Sequence, residues 1–549
     1  MGMRMLVTRS LPLTESEMPG TGDAYGNETF DKLNSLTVQA DGQNFEPSAL
    51  PDGELRYIME FGEPIDADQI TRVLRQKFPN QFFHFDPLFA SDSSEDLRFH
   101  ALRFDLTSKA LNTSDLFDVA YALREEFELV SCEPDAVTLP DVSIDDQAEL
   151  DDLAAPADRH WCVKNIRATK AHNLAISRGM GASIGLPGMS LTSHDSLDDD
   201  AVELVPSNGA PVSETSIELK SGRAKAPGVD VVAMASVAVS RQSEEIVGVA
   251  PKAKIVSITD AFSNLDCNGA ALARAIDHAV VAGCNIVMLR QSGFYCSVVE
   301  QAIKRAVASN IIVLAAAGDS AAPISYPARY PGVIAVGGST HQDLPWEQSA
   351  SGLSVSFLAP AEFVWAAKQS ANRNDVAAQN GTALAVAVAA GGAALWLSHH
   401  GVEQLSEHAK ALNCSLQELF RHAVRQTARR PNNWDGARYG AGIIDCEALI
   451  KLQPDQILKT DEPLTMFPDK TLEMASLVQE CTDQLPKVRE FDFTTFGSEI
   501  SMLAYAHLKT DGAGHRVADD VENYRPSKHL QNAIKKSGDK ALLQFLNQS

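Results

Sequence analysis

Five short apolar runs recur through the middle of the chain: ASIGL (182–186), KIVSIT (254–259), NIVML (285–289), IIVLAAAG (311–318) and VIAVGG (333–338). The stretches between them include GAALARAIDHAVVAG (269–283) and SVVEQAIKRAVAS (297–309), which carry a helical period. A run that is apolar without alternation belongs to a strand buried on both faces. Strands of that kind separated by helices predict an α/β fold, a parallel sheet with helices on both faces. A further run, Ala383 to Leu397, holds no charge. Its 15 residues fall short of the roughly 20 that span a bilayer, so a buried central helix is expected there.

Composition narrows the function classes. The 549 residues carry 47 basic and 72 acidic side chains, a net charge of −25. That balance argues against a partner that is a nucleic acid or an anionic membrane. The eight cysteines include no C-x-x-C pair, so free buried thiols are expected, with neither a disulfide scaffold nor a metal site. The opening MGMRMLVTRSLPLTESEMPG lacks an apolar core of secretory length, and a cytoplasmic location is expected.

The chain divides into an irregular leader (1–50), a small domain (51–140), an acidic linker (141–158), the α/β region (159–452) and a mostly helical C-terminal extension (453–549). In the small domain, 55–61, 82–89, 98–106 and 129–134 read as strands, while 66–78 and 116–127 read as helices. The order β-α-β-β-α-β predicts a ferredoxin-like α+β domain. In the extension, 528–548 is the clearest helix, with Lys528, Lys535, Lys536 and Lys540 forming a basic face. An ordinary solvated helix explains that face better than a docking surface does.

From Trp161 to Ile450 the chain resembles the subtilisin-like serine proteases, the subtilases. GVAPKAKIVSIT (248–259), AAAGDS (315–320), YPARYPGVIAVGGST (326–340), NGTALAVAVAAGGAAL (380–395) and YGAGIIDCEAL (439–449) stand in the family's order and spacing. The resemblance implies a subtilisin-like domain. It also implies that peptide hydrolysis would need an Asp, a His, a Ser and an oxyanion-binding amide at definite positions.

Each of those positions holds a residue unsuited to its role. Where the family's Asp ends the first strand, the residue is Pro187, with His194 seven residues on. The catalytic His falls at Pro227, in PGVDVVA (227–233), after an apparent insertion. The nucleophile, expected after Gly-Thr, is Ala383, and the oxyanion residue is Asp319. Proline and alanine can neither move a proton nor attack a carbonyl, and an ionised Asp would repel an oxyanion. In subtilisin itself, losing the nucleophile or the base lowers turnover by about 10⁶. The expectation is a pseudoprotease.

The family's substrate-pairing edge appears as Leu289-Arg290-Gln291-Ser292, where Arg290 and Gln291 are expected to fill part of the groove. Residues 55–134 match a subtilase propeptide in position, with Val137 to Val142 placed as its cleft-plugging tail. Without self-cleavage this domain is expected to stay attached and docked. Sharper alternatives are weaker. His194 reads as structural. Asp195, Asp198, Asp199 and Asp200 read as a solvated loop without calcium-loop spacing. Asp230 with Asp319 as a new carboxylate pair rests on position alone. The leading expectation is therefore a cofactor-free scaffold or regulatory subunit for a protein partner, one class being a related active protease. The rivals are a working peptidase with relocated groups, and an inhibitor or folding helper of another subtilase.

Overall fold

A computed structural model describes residues 29–31, 33–34, 54–89, 96–107, 113–135, 137–140, 156–188, 191, 193–206, 231–241, 243, 245–259, 267–319, 324–370, 372–457, 470–509 and 525–547. Strands β1 (Glu54–Glu60), β2 (Phe83–Pro87), β3 (Phe99–Thr107) and β4 (Ser131–Pro134) form an antiparallel sheet in the order β2-β3-β1-β4, backed by helices Ala67–Lys77 and Thr113–Glu126. The first of these helices starts where the Asp66 side chain accepts the amides of Asp68 and Gln69, the usual way of satisfying orphan donors in a first turn. Tyr57, Phe78 and Phe104 fill this small core, with Phe78 and Phe104 edge-to-face at 5.1 Å. Within the stretch read as an irregular leader, residues 29–31 and 33–34 are helical, and Phe30 and Leu33 are buried in the same core.

The α/β region centres on seven parallel strands: β6 (Ser183–Gly188), β7 (Val202–Pro206), β8 (Lys254–Thr259), β10 (Ile286–Leu289), β12 (Ile312–Ala316), β13 (Ile334–Ser339) and β14 (Val355–Pro360). Their order is β14-β13-β12-β10-β6-β8-β7. Each of the five apolar runs lies in one of these strands. Helix Thr382–His400 packs beneath β10, β12, β13 and β14. By length and composition it could cross a membrane, but 89% of its most apolar window is buried inside the protein. Its apolar character on all sides is what a helix enclosed by a sheet and other helices requires.

Short antiparallel strands lie outside this sheet. Strand β5 (Val137–Pro140) sits between β9 (Cys267–Asn268) and β11 (Gln291–Ser292). Helices Lys470–Thr482, Phe493–Lys509, Lys528–Ser537 and Lys540–Asn547 form the C-terminal unit. The single helix expected over 528–548 is two helices. Gly538 takes the left-handed conformation (φ 62°), and Asp539 caps the amide of Leu542. A C-terminal glycine of this kind ends one helix, and the capping side chain starts the next. Lys528, Lys535, Lys536 and Lys540 are all exposed. Cys132, Cys162, Cys284, Cys296, Cys414, Cys446 and Cys481 are free thiols.

Candidate functional site

At the carboxyl end of an open parallel sheet the strands deliver their last residues to a common surface, where α/β proteins bind ligands. Pro187 lies inside β6, one residue beyond the apolar run that marks the strand in the sequence. Its carbonyl accepts the Gln291 Nε2 donor at 3.2 Å, while Gln291 Oε1 accepts the backbone amide of Arg290 at 3.1 Å. A Cβ on Gly188 would come 3.3 Å from Val231 and 3.9 Å from Arg290 Nε. The structure therefore brings Pro187, Arg290, Gln291 and the start of helix Val231–Val239 together. Gln291 is only 3% exposed, so its side chain is spent on the sheet end.

The second group lies where β12 runs out and helix Thr382–His400 begins. Asp319 Oδ1 accepts the backbone amide of Thr382 at 2.6 Å and its hydroxyl at 2.7 Å. The Thr382 hydroxyl oxygen in turn accepts the Gly318 amide at 3.2 Å. Asp319, Thr382 and Ala383 are all buried. The Asp319 carboxylate thus serves as a partner for the first helical residue. Ala383 follows with a bare methyl group. Sequence reasoning did not find Thr382, because nothing local links residues 63 positions apart.

A short strand edge lies beside the first of these groups, beginning at Gln291. Strand β5 pairs antiparallel with β11, Pro140 opposite Gln291 and Leu139 opposite Ser292, and with β9, Val137 opposite Asn268 and Thr138 opposite Cys267. The edge that the sequence marks as substrate-pairing carries the chain's own tail segment, within the expected 137–142. Two buried carboxylates anchor it. Asp135 Oδ1 accepts the Ala270 amide at 3.1 Å at the start of helix Gly269–Val281, and Glu133 Oε2 accepts the Ser297 amide at 2.9 Å at the start of helix Ser297–Ala308. Carboxylates at helix N-termini satisfy orphan amides and meet the positive end of the helix dipole. Burial nevertheless dominates, pushing Asp135 up to about 6 and Glu133 upward as well. The sequence held a trace of this pair, two acids bracketing the end of β4 in CEPD (132–135).

Other residues singled out from the sequence lie elsewhere. His194 is buried, with Nδ1 against Ser196 Oγ at 2.8 Å and Nε2 against the Asp375 carbonyl at 2.9 Å. Asp195 pairs with Arg373 at 3.2 Å and Asp198 with Arg241 at 2.9 Å, while Asp200 is exposed. Pro227, Asp230 and the side chain of Asp199 lie outside the described residues. Among the described residues no group of three or more His, Cys, Asp or Glu could hold a metal ion.

Fold and groove together define an α/β protein of subtilisin-like build, whose antiparallel N-terminal region fits a propeptide-like domain. Residues 232–442 match the subtilase family, Peptidase S8. Over 209 residues the chain is 31% identical to Subtilisin DY of Bacillus licheniformis, covering 37% of this chain and 70% of that protein. M-protease of Shouchella clausii (strain KSM-K16) is 26% identical over 348 residues, 61% of this chain and 83% of that one. Subtilisin Savinase of Lederbergia lenta is 25% identical over 295 residues, 53% and 98% respectively. The chain belongs to the subtilase family.

Proposed function

We propose that the protein is a catalytically inactive subtilase that works by binding, as a scaffold or regulatory subunit for a protein partner in the cytoplasm, without metal or cofactor. One observation carries the reading. The head of helix Thr382–His400 presents Thr382, held by Asp319, and then the methyl of Ala383. A subtilase needs an activated hydroxyl at that point, and an ionised carboxylate at 319 offers an oxyanion no donor. Pro187 at the end of β6 supports the same reading, because a proline ring cannot orient an imidazole. A fluorophosphonate probe tests it, with an active subtilase as positive control. The expected result is no labelled serine in the intact chain, and a labelled serine mapped by mass spectrometry overturns the proposal. That outcome would favour the rival, a peptidase with relocated groups.

The pairing of β5 with β9 and β11 favours a second reading of the N-terminal domain. A segment that adds a strand to this groove could do so in a related active protease, making the domain an inhibitor or folding helper. Mixing residues 55–142 with an active subtilase tests it. Unchanged hydrolysis of a chromogenic peptide removes the idea.

A further inference from the structure

The C-terminal unit touches both other parts of the molecule through buried polar groups. On one side, Tyr121 of helix Thr113–Glu126 donates its hydroxyl to Glu499 Oε2 at 2.8 Å, and Glu499 also accepts the amide and hydroxyl of Ser527 at 2.6 and 2.9 Å. One turn earlier on the same helix, Asp118 accepts the amides of Lys528 and His529 at 3.3 and 3.2 Å, and pairs with His529 Nδ1 at 2.7 Å. A side chain from the N-terminal domain thus caps the helix Lys528–Ser537 from across the interface. On the other side, Ser498 and Ser501 bind the carbonyl and amide of Tyr295 at 3.0 and 2.9 Å. Arg329 reaches Glu480 at 2.7 Å and Ser476 at 2.6 Å. Ile58, Phe99, Phe117 and Tyr121 share one apolar cluster with Tyr295, Ile500 and Leu530.

Tyr295 stands three residues beyond β11, the strand that carries β5. The C-terminal unit is therefore fastened to the core next to β11 and to the domain that leads into its partner strand β5. A buried hydrogen bond to a charged group contributes more than an exposed one, and its loss leaves a desolvated partner behind. We infer that the four helices of the C-terminal unit form an intramolecular clasp, which holds helix Thr113–Glu126 through Asp118 and Tyr121 and keeps β5 paired with β9 and β11 even when the 141–155 connection is cut. The inference stands on these contacts, whether or not the groove ever cuts peptides.

The test uses the full chain with a site-specific protease sequence inserted after residue 150. After cleavage, gel filtration and a dissociation-rate measurement follow the N-terminal fragment. The wild-type fragment is expected to co-elute with the remainder. Combined Tyr121→Phe and Asp118→Asn is expected to speed release tenfold or more. Asp86→Asn, at an exposed pair with Arg103, should leave the rate unchanged. Release of the wild-type fragment during the run, or a double variant that releases at the wild-type rate, overturns the clasp. If the double variant does not fold, Tyr121→Phe alone removes a single oxygen and should speed release at least threefold, with no change again counting against the clasp.

Discussion

Asp319 holds Thr382 by both its amide and its hydroxyl, at 2.6 and 2.7 Å, so the carboxylate fixes the first turn of the central helix. Thr382→Val keeps the shape of the side chain and removes the hydroxyl. Asp319 then loses one donor, and the Gly318 amide loses its acceptor at 3.2 Å. Leaving such buried groups short of partners costs about 1–3 kcal/mol. Urea unfolding should show that loss as a lower midpoint with an unchanged slope. A loss under about 0.5 kcal/mol would make the contact incidental.

On the proposed reading, Ala383→Ser places a hydroxyl where a subtilase carries its nucleophile. A serine attacks only when an adjacent base takes its proton and a third group orients that base. Pro187 supplies no orienting carboxylate, and His194 has both ring nitrogens engaged by Ser196 and Asp375. The variant should therefore stay unlabelled by a fluorophosphonate and inert toward chromogenic peptides. Turnover from this single change would mean that a working base stands at the site.

Asp135 reaches across a domain boundary to accept the Ala270 amide. Asp135→Ala removes this cap and should cost about 1 kcal/mol, as losses of helix N-caps do. Asp135→Asn keeps an acceptor and sheds a carboxyl that burial has pushed up to about 6. It should recover most of the loss. Thermal unfolding of both variants checks the order, and equal melting temperatures would reject the cap.

Much of this architecture was legible because local pattern and burial agree. Five of the seven sheet strands are short apolar runs, β7 and β14 being the two that were not, and the charge-free Ala383–Leu397 stretch is a helix enclosed on all sides. The small domain was legible from its β-α-β-β-α-β order, which needs only local periods. The clamp on Thr382 was not, because it depends on residues far apart in the chain. The C-terminal unit hid for a related reason. Glu473 and Glu499 look in sequence like solvated helix charges, yet both are fully buried against Tyr326 and Tyr121. Partners from other domains decide that burial. Phe30 and Leu33 likewise sit in a short, mostly polar stretch, too brief to set a period.

Gly391 and Gly392 adjoin in the central helix, yet their replacement should differ in sign. A Cβ on Gly391 would meet Val249 Cβ at 2.5 Å, a stiff β-branched centre. Such overpacking costs about 1–3 kcal/mol. On Gly392 the nearest atom is the Cδ1 end of Ile444 at 3.0 Å, which can rotate away. There the helix gains roughly 0.5–1 kcal/mol from replacing glycine by alanine. Denaturant midpoints should fall for Gly391→Ala and hold or rise for Gly392→Ala. The reverse order would contradict the packing around this helix.

Glu473 gives the stability of the protein a definite pH dependence. Burial pushes its carboxyl up to about 8, against the opposing pull of Arg329, whose nearer ion-pair partner is Glu480 at 2.7 Å. The folded chain then keeps a proton that the unfolded chain has released above the ordinary carboxylate range. Stability from this group is complete below that range and is lost as pH rises toward 8, with a slope of at most about 1.4 kcal/mol per pH unit. The buried His100 and His400, pulled down to about 4, act in the opposite sense, but only below the ordinary histidine value near 6.5. Buried Lys470, held below the ordinary lysine value, also acts in the opposite sense, so the decline due to Glu473 between pH 6.5 and 8 is read against a variant. Glu473→Gln, which keeps the shape and cannot ionise, should flatten that decline. Urea unfolding at half-unit pH steps measures both slopes, and parallel curves for the two proteins would show that the proton sits elsewhere.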